Sequence, residues 1–243
     1  MSLLRFTLAW ASLTVGPAVL AQVVVVDNFH VGNFNDTGFD NGVIVGQLGL
    51  APEDVIGGTR WRLMQSISLG YHLDVASDRM NLQTDAGLSM LALAWGRLVS
   101  SDNIPGEFPG SHLGVDITAN GNHSFQLQVP EFDGTRLVAR IHIQSPLLRE
   151  SSSPTFEITG PGTYTIPYSS LSGNANFQNV SGIFLNFREL TLPLFSTATL
   201  ELGSFSMVPE PEEWAAAVGV SLLAFGLWRR RTPSVGKVAA PRD

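Results

Sequence analysis

Glu131-Phe132-Asp133 holds two carboxylates one residue apart, the spacing that puts both on one face of a β-strand. Glycoside hydrolysis needs such a pair across a cleft, about 5–5.5 Å apart for retention or about 6.5–9.5 Å for inversion. Gly134-Thr135 follows at once, so an exposed turn accounts for the same residues. A second oxygen-rich stretch, Asn33–Gly42, carries Asn35, Asp36, Asp40 and Asn41. Calcium takes about six to eight oxygen ligands, but Asx-Gly runs serve more often as plain turns. Asp27, at the edge of the first strand-like run, is a further candidate ligand. A structural calcium is the one cofactor considered; no other is expected.

Five aromatics, Trp61, Tyr71, Trp95, Tyr164 and Tyr168, could stack on the apolar faces of sugars. Trp61 and Trp95 lie within apolar alternation and read as core, whereas Tyr164 and Tyr168 flank Pro167 near a loop and are better surface candidates. No two of the five histidines are spaced i, i+4 as a zinc protease requires, and no Gly-x-Ser-x-Gly elbow, phosphate loop or dinucleotide fingerprint occurs. No catalytic residue and no metal ligand set is assigned, and the chain is not expected to be an enzyme. The body that must position any such groups is rich in short strand-like runs.

These runs include 23–29, 60–69, 79–84, 88–95, 113–118, 124–129 and 136–143, then "TFEIT", "GTYTIPY", "SGIFLNF" and "ATLELGSFSM". Asp85-Ala86-Gly87 reads as a tight hairpin between two of them, and Asn120-Gly121-Asn122 as another turn. Arg136–Ile143 alternates Leu137, Ala139, Ile141 and Ile143 against Arg136, Arg140 and His142. Regular short strands with Gly and Asn turns, no helix-period segment and no internal repeat predict an all-β fold, an antiparallel β-sandwich or jelly roll over residues 22–206.

Both ends are apolar. Residues 1–21 join Arg5, the apolar Phe6–Val15 and small residues before Ala21, a signal-peptide pattern with cleavage predicted between Ala21 and Gln22. Residues 207–231 hold Val208-Pro209-Glu210-Pro211, then fifteen uncharged residues from Trp214 to Trp228, then Arg229, Arg230 and Arg231. Fifteen is short for a transmembrane helix, which needs about 20 residues. Tryptophans at both interfaces and snorkelling arginines extend its reach, and the positive-inside rule leaves the arginines cytoplasmic with the body outside. Residues 232–243 form a short cytoplasmic tail. Pro209 and Pro211 hold Glu210 extended, and Glu212-Glu213 favour a helix start by about 0.3–1 kcal/mol.

This order of triplet, apolar run and arginines resembles the PEP-CTERM sorting domain. Proteins with that domain are substrates of exosortase, a membrane-embedded cysteine transpeptidase of Gram-negative bacteria that make exopolysaccharide. The resemblance implies export by the Sec translocon, passage through the inner membrane, transient anchoring there and delivery to the cell surface or beyond. Two departures stand out: Glu212-Glu213 replaces the Ser or Thr usual after the triplet, and twelve residues follow the arginines. Val26-Asp27-Asn28-Phe29 and Gly162–Phe187 look like sandwich domains common in such proteins, similar to carbohydrate-binding jelly rolls. The body is accordingly expected to be structural or in contact with polysaccharide. The alternatives are an exported carbohydrate-active enzyme and an unprocessed single-pass membrane protein.

Composition narrows the partners. Net charge is −7, and between Gln22 and Met207 there are eight arginines, no lysine and seventeen acids. Such a surface repels phosphate backbones, so nucleic acid is excluded as a partner. No cysteine is present, which removes disulfides and thiol chemistry.

Overall fold

The computed structural model describes residues 23–32, 34–37, 44–66, 71–84, 88–191, 198–209, and 219, 222 and 223. Ala21, Gln22, Glu210, Pro211 and Arg229–Arg231 lie outside these residues. Among the described residues no helix is long and apolar enough to cross a membrane.

The strands are β1 (Val24–Asp27), β2 (Phe34–Thr37), β3 (Ile44–Leu48), β4 (Thr59–Ser66), β5 (Tyr71–Ala76), β6 (Arg79–Thr84), β7 (Leu88–Leu98), β8 (Phe108–Pro109) and β9 (Asn122–Val129). They continue with β10 (Glu131–Phe132), β11 (Arg136–Ser145), β12 (Arg149–Ser152), β13 (Phe156–Ile158), β14 (Gly162–Pro167), β15 (Ser172–Gly173), β16 (Gly182–Thr191), β17 (Ala198–Leu202) and β18 (Ser204–Pro209). All ladder pairings are antiparallel. One layer is a large sheet in the order β15-β12-β11-β16-β7-β4-β3, with β13 on β11 and β8 on β7. The other consists of β1-β18-β9-β14 and β10-β17-β6-β5-β2.

These two smaller sheets are one ladder broken at a single point. β9 runs into β10 across Pro130, and β17 runs into β18 across Gly203. Proline has no N–H to give the ladder. Gly203 N donates instead to Gln128 O at 3.0 Å, and a Cβ at Gly203 would sit 3.0 Å from Pro130 Cγ. The run 198–207, read from sequence as one strand, is therefore two.

Between the layers lies the main core. Leu91, Leu93 and Trp95 of β7 and Leu137, Ala139, Ile141 and Ile143 of β11 point inward, against Phe125 and Leu127 of β9 and Phe205 and Met207 of β18. Trp95 and Phe205 bring their rings to 5.3 Å across the layers, and Phe205 stacks on Phe125 at 5.3 Å. This is an antiparallel β-sandwich. A second apolar cluster lies on the outer face of the large sheet, where Ile104 and Phe108 cover Leu63, Met90, Ala92, Ala94 and Phe184. The covering segment is tied down by Gln144, whose Oε1 accepts from Val99 N (2.8 Å) while Nε2 donates to Val99 O (3.1 Å).

Three sequence expectations need correction. Asp85-Ala86-Gly87 lies outside the described residues, and the two runs it was read to join are not hairpin partners: β6 pairs with β5 and β17, whereas β7 pairs with β16 and β4 in the other layer. The tight hairpin joins β5 to β6 through Ser77 and Asp78, with φ 54° and 65°, the paired positive values of a two-residue turn. Residues 113–118 are not a strand. Only Val115 bridges Val180, and Asp116 Oδ1 accepts from Thr118 N (2.9 Å) and Oγ1 (2.6 Å), folding the chain into a turn. Finally, Met207, Val208 and Pro209 lie in β18, opposite Phe125, Ser124 and Asn122, so the sheet takes in the start of the Pro-Glu-Pro segment.

Candidate functional site

β11 and β16 pair along their full length, with Arg140 opposite Asn186, Val138 opposite Arg188 and His142 opposite Phe184. Because alternate residues fill the core, these six face outward. The apolar half of this outer face is covered by residues 99–110. Beside that cover a cleft of about 160 Å³ opens, lined by Arg140, Asn186, Arg188 and Glu189 from the sheet and Asp102 and Asn103 from the cover.

Each lining group has a reason for its place. Arg140 Nε donates to Ser153 O at 2.9 Å, which fixes the guanidinium. Ser153 Oγ in turn accepts from Ile141 N (3.0 Å) and donates to Pro154 O (2.7 Å). Glu189 has φ 56° where β16 passes an irregularity in its ladder with β11, and its carboxylate lies 3.9 Å from the Arg136 guanidinium. Asn103 Nδ2 donates to Glu150 Oε2 at 3.5 Å, and Gln144 Nε2 to the other oxygen at 2.9 Å. Asn186 is buried, and its Oδ1 has no hydrogen-bond partner among the described residues. An unpaired buried acceptor costs about 1–3 kcal/mol, so this oxygen favours an incoming donor.

His142 forms part of the cleft wall at only 1% exposure. Its Nδ1 lies 2.7 Å from Ser152 Oγ and its ring 5.7 Å from Phe184. Burial, helped by the Arg140 and Arg188 charges, lowers its pKa to about 4. The imidazole is therefore neutral near pH 7, and the cleft presents cationic guanidiniums, amides and two carboxylates around it.

The residues singled out from sequence fall elsewhere. Glu131 pairs across from Glu201 at the exposed end of the β10–β17 ladder, and Asp133 Oδ1 accepts from Thr199 N at 2.5 Å. Neither acid lines the cleft. Asp27 is not an open calcium ligand: Oδ1 accepts from Arg60 (2.5 Å) and Phe29 N (2.8 Å), and Oδ2 from Arg60 Nε (2.5 Å) and Trp95 Nε1 (2.9 Å). Asn35 and Asp36 belong to β2, while Asn33, Asp40 and Asn41 lie outside the described residues. Among the described residues no three His, Asp or Glu side chains cluster as metal ligands.

The five aromatics do not form a platform. Trp95, Tyr71 and Tyr168 are core, and Trp61 is half-buried against the outer cluster. Tyr168, read as a surface candidate, donates to Ile117 O (3.2 Å) and packs its ring on Phe125 at 4.9 Å; burial pushes its hydroxyl pKa up. Tyr164 is half-buried and donates to Gly160 O at 2.7 Å. Of the sorting residues, Val208 and Pro209 end β18, and the others lie outside the described residues. Asn186, Arg188, Glu189, Asp102 and Asn103 were missed. The usable signal was the outward register of Arg140 and His142, repeated by Asn186 and Arg188 in Leu185–Arg188.

No protein-family profile and no curated protein matches the chain. Among solved structures it is similar to the family 11 carbohydrate-binding module from Clostridium thermocellum in complex with a β-1,3-1,4-mixed-linked tetrasaccharide, at 8% identity over 77% of this chain and 95% of that one, with a TM-score of 0.36. It is also similar to PfGH50B (11% identity, 57% of this chain, TM-score 0.39) and to an agarase (11%, 62%, 0.36). The chain spans only 21% and 22% of the lengths of those two proteins. Likenesses this distant carry no functional argument.

Proposed function

We propose that this chain is an exported, jelly-roll-like sandwich protein that contacts extracellular polysaccharide without cleaving it. The observation that carries the reading is the cleft where Arg140 and Asn186 stand side by side on paired strands, with the Asn186 acceptor buried and without a partner among the described residues. Fixed guanidinium and amide groups match the hydroxyls and carboxylates of a sugar chain. The test is retention on a panel of polysaccharides, with Arg140→Ala and Asn186→Ala beside the native chain. Each variant is expected to lose most of the binding; no retention of the native chain, or equal retention by the variants, would sink the reading.

One observation favours a hydrolytic alternative: Asp102 and Glu189 line the same cleft. Release of new reducing ends from a bound polysaccharide, abolished by Glu189→Gln, would establish it in place of binding alone.

Delivery is the second half of the proposal. The signal-like N-terminus, the Pro-Glu-Pro segment, the apolar 214–228 and Arg229–Arg231 support Sec export, anchoring in the inner membrane and exosortase processing to the cell surface. Mass spectrometry of the mature protein tests this: residues 214–243 still attached in cells with active exosortase would refute processing.

A further inference from the structure

The hairpin joining β11 to β12 turns through Pro146, Leu147 and Leu148. Leu147 is 85% and Leu148 60% exposed, with φ of 65° and 57°. That region of backbone space suits Asn and Gly and strains a leucine. Two apolar side chains therefore stand in water, at positions where smaller or polar residues would fit the backbone better.

The hairpin lies at the end of the sandwich where the described body begins and stops. β1 runs beside β18 with Val24 opposite Met207, and Val23 just before it is 49% exposed. Pro209 is opposite Asn122 at the start of β9. From there contacts lead straight to the tip. Ile117 N donates to Phe177 O at 2.9 Å, and Asn176 N donates to the Oγ of Ser145, the residue before Pro146, at 3.0 Å. Only residues 210–213 separate Pro209 from Trp214. Five Cα–Cα steps reach at most about 18 Å. If 214–228 occupies a membrane, Pro209 and this end of the body stay within about 18 Å of its surface.

We propose that Leu147 and Leu148 insert into the outer leaflet of that membrane and dock the sandwich end-on to the lipid. The inference rests on reading 214–228 as the anchor. Arg149, exposed at the base of the tip, is placed for the headgroup phosphates.

The chain has no cysteine, so a cysteine at position 147 takes a label alone. The experiment uses the full chain with Leu147→Cys carrying an environment-sensitive fluorophore, reconstituted into phosphatidylethanolamine–phosphatidylglycerol vesicles. Thr135→Cys, exposed before the opposite end of β11, is the control. The expected result is a blue shift, and loss of signal to nitroxide lipids, at 147 and not at 135. Adding Leu148→Ser is expected to reduce the quenching at 147; unchanged quenching would show that the tether alone holds the tip near lipid and would overturn insertion. A label at 147 that reports water in a chain that floats with the vesicles overturns this inference alone. A chain that does not float overturns the anchor and the inference with it.

Discussion

Asp27 and Arg60 form a bidentate ion pair between the two layers, with side chains 0% and 1% exposed. Trp95 Nε1 and Phe29 N complete the carboxylate's partners, and Arg60 also reaches Gln47 Oε1 (3.0 Å) and lies 5.0 Å from the Phe29 ring centre. The pair joins β1 to β4 and β7 at the point where the described chain begins. Removing one partner strands a buried charge, which costs about 3–5 kcal/mol, whereas an apolar pair of matching volume is nearly neutral. Arg60→Ala is thus expected to lower the urea-unfolding free energy by roughly that amount, and Asp27→Leu with Arg60→Met by much less. Equal losses in the single and double variants would contradict this account.

His142 makes stability depend on pH. Its pKa falls from 6.5 in the unfolded chain to about 4 in the fold, chiefly through burial. Between these values the unfolded chain binds the extra proton and the folded one does not, so stability falls as pH drops from 6.5 toward about 4 and levels below. The full swing is on the order of 3 kcal/mol. His142→Gln, followed by urea unfolding at pH 4.5 and pH 7.5, is expected to flatten this part of the profile.

Trp61 lies flat against a glycine. A Cβ at Gly46 would sit 2.2 Å from Trp61 Cζ3, so Gly46→Ala must push the indole off its seat. Overpacking of this kind costs about 1–3 kcal/mol. A lower thermal midpoint together with a changed Trp emission is expected; a variant with native emission and midpoint would argue against the packing.

The hairpin tip gives the opposite sign. Leu147→Asn with Leu148→Gly places at φ 65° and 57° residues that accept those angles, and a gain of about 1 kcal/mol in unfolding free energy is expected. The same change removes the apolar tip. Higher stability with a lost lipid signal would separate the two roles, because leucines kept for folding alone would not show that pattern.

β6 and β9 were legible because alternation and a flanking turn residue coincide, as in Arg79–Thr84 with Met80, Leu82 and Thr84 inward. β5 was missed although Tyr71, Leu73 and Val75 alternate inward just as cleanly, because its turn, Ser77-Asp78, contains no glycine. β12 was invisible for another reason: Arg149–Ser152 is polar, and its place comes from pairing with β11. Layer assignment was the larger loss. Nothing local in Asp85-Ala86-Gly87 says that β6 and β7 part into different sheets. The cleft was illegible because its walls come from β11, β16 and the segment after β7, and only the sandwich brings them together. Tyr168 failed as a surface reading because a hydroxyl beside a proline looks exposed until Ile117 O supplies its partner.

The antiparallel neighbours β1 and β18 bring the chain in at Val23 and out at Pro209 side by side, which sets how the body bears load. Force applied between those two points would unzip β1 from β18 one hydrogen bond at a time. Force applied at Pro209 along the strand axis, against the opposite end of the sandwich, runs along β18 instead, and strains its bonds to β1 and β9 together, in shear. A sandwich wired this way meets a pull along β18 with its β1 and β9 ladders loaded together, and yields most easily when pulled by its own two ends.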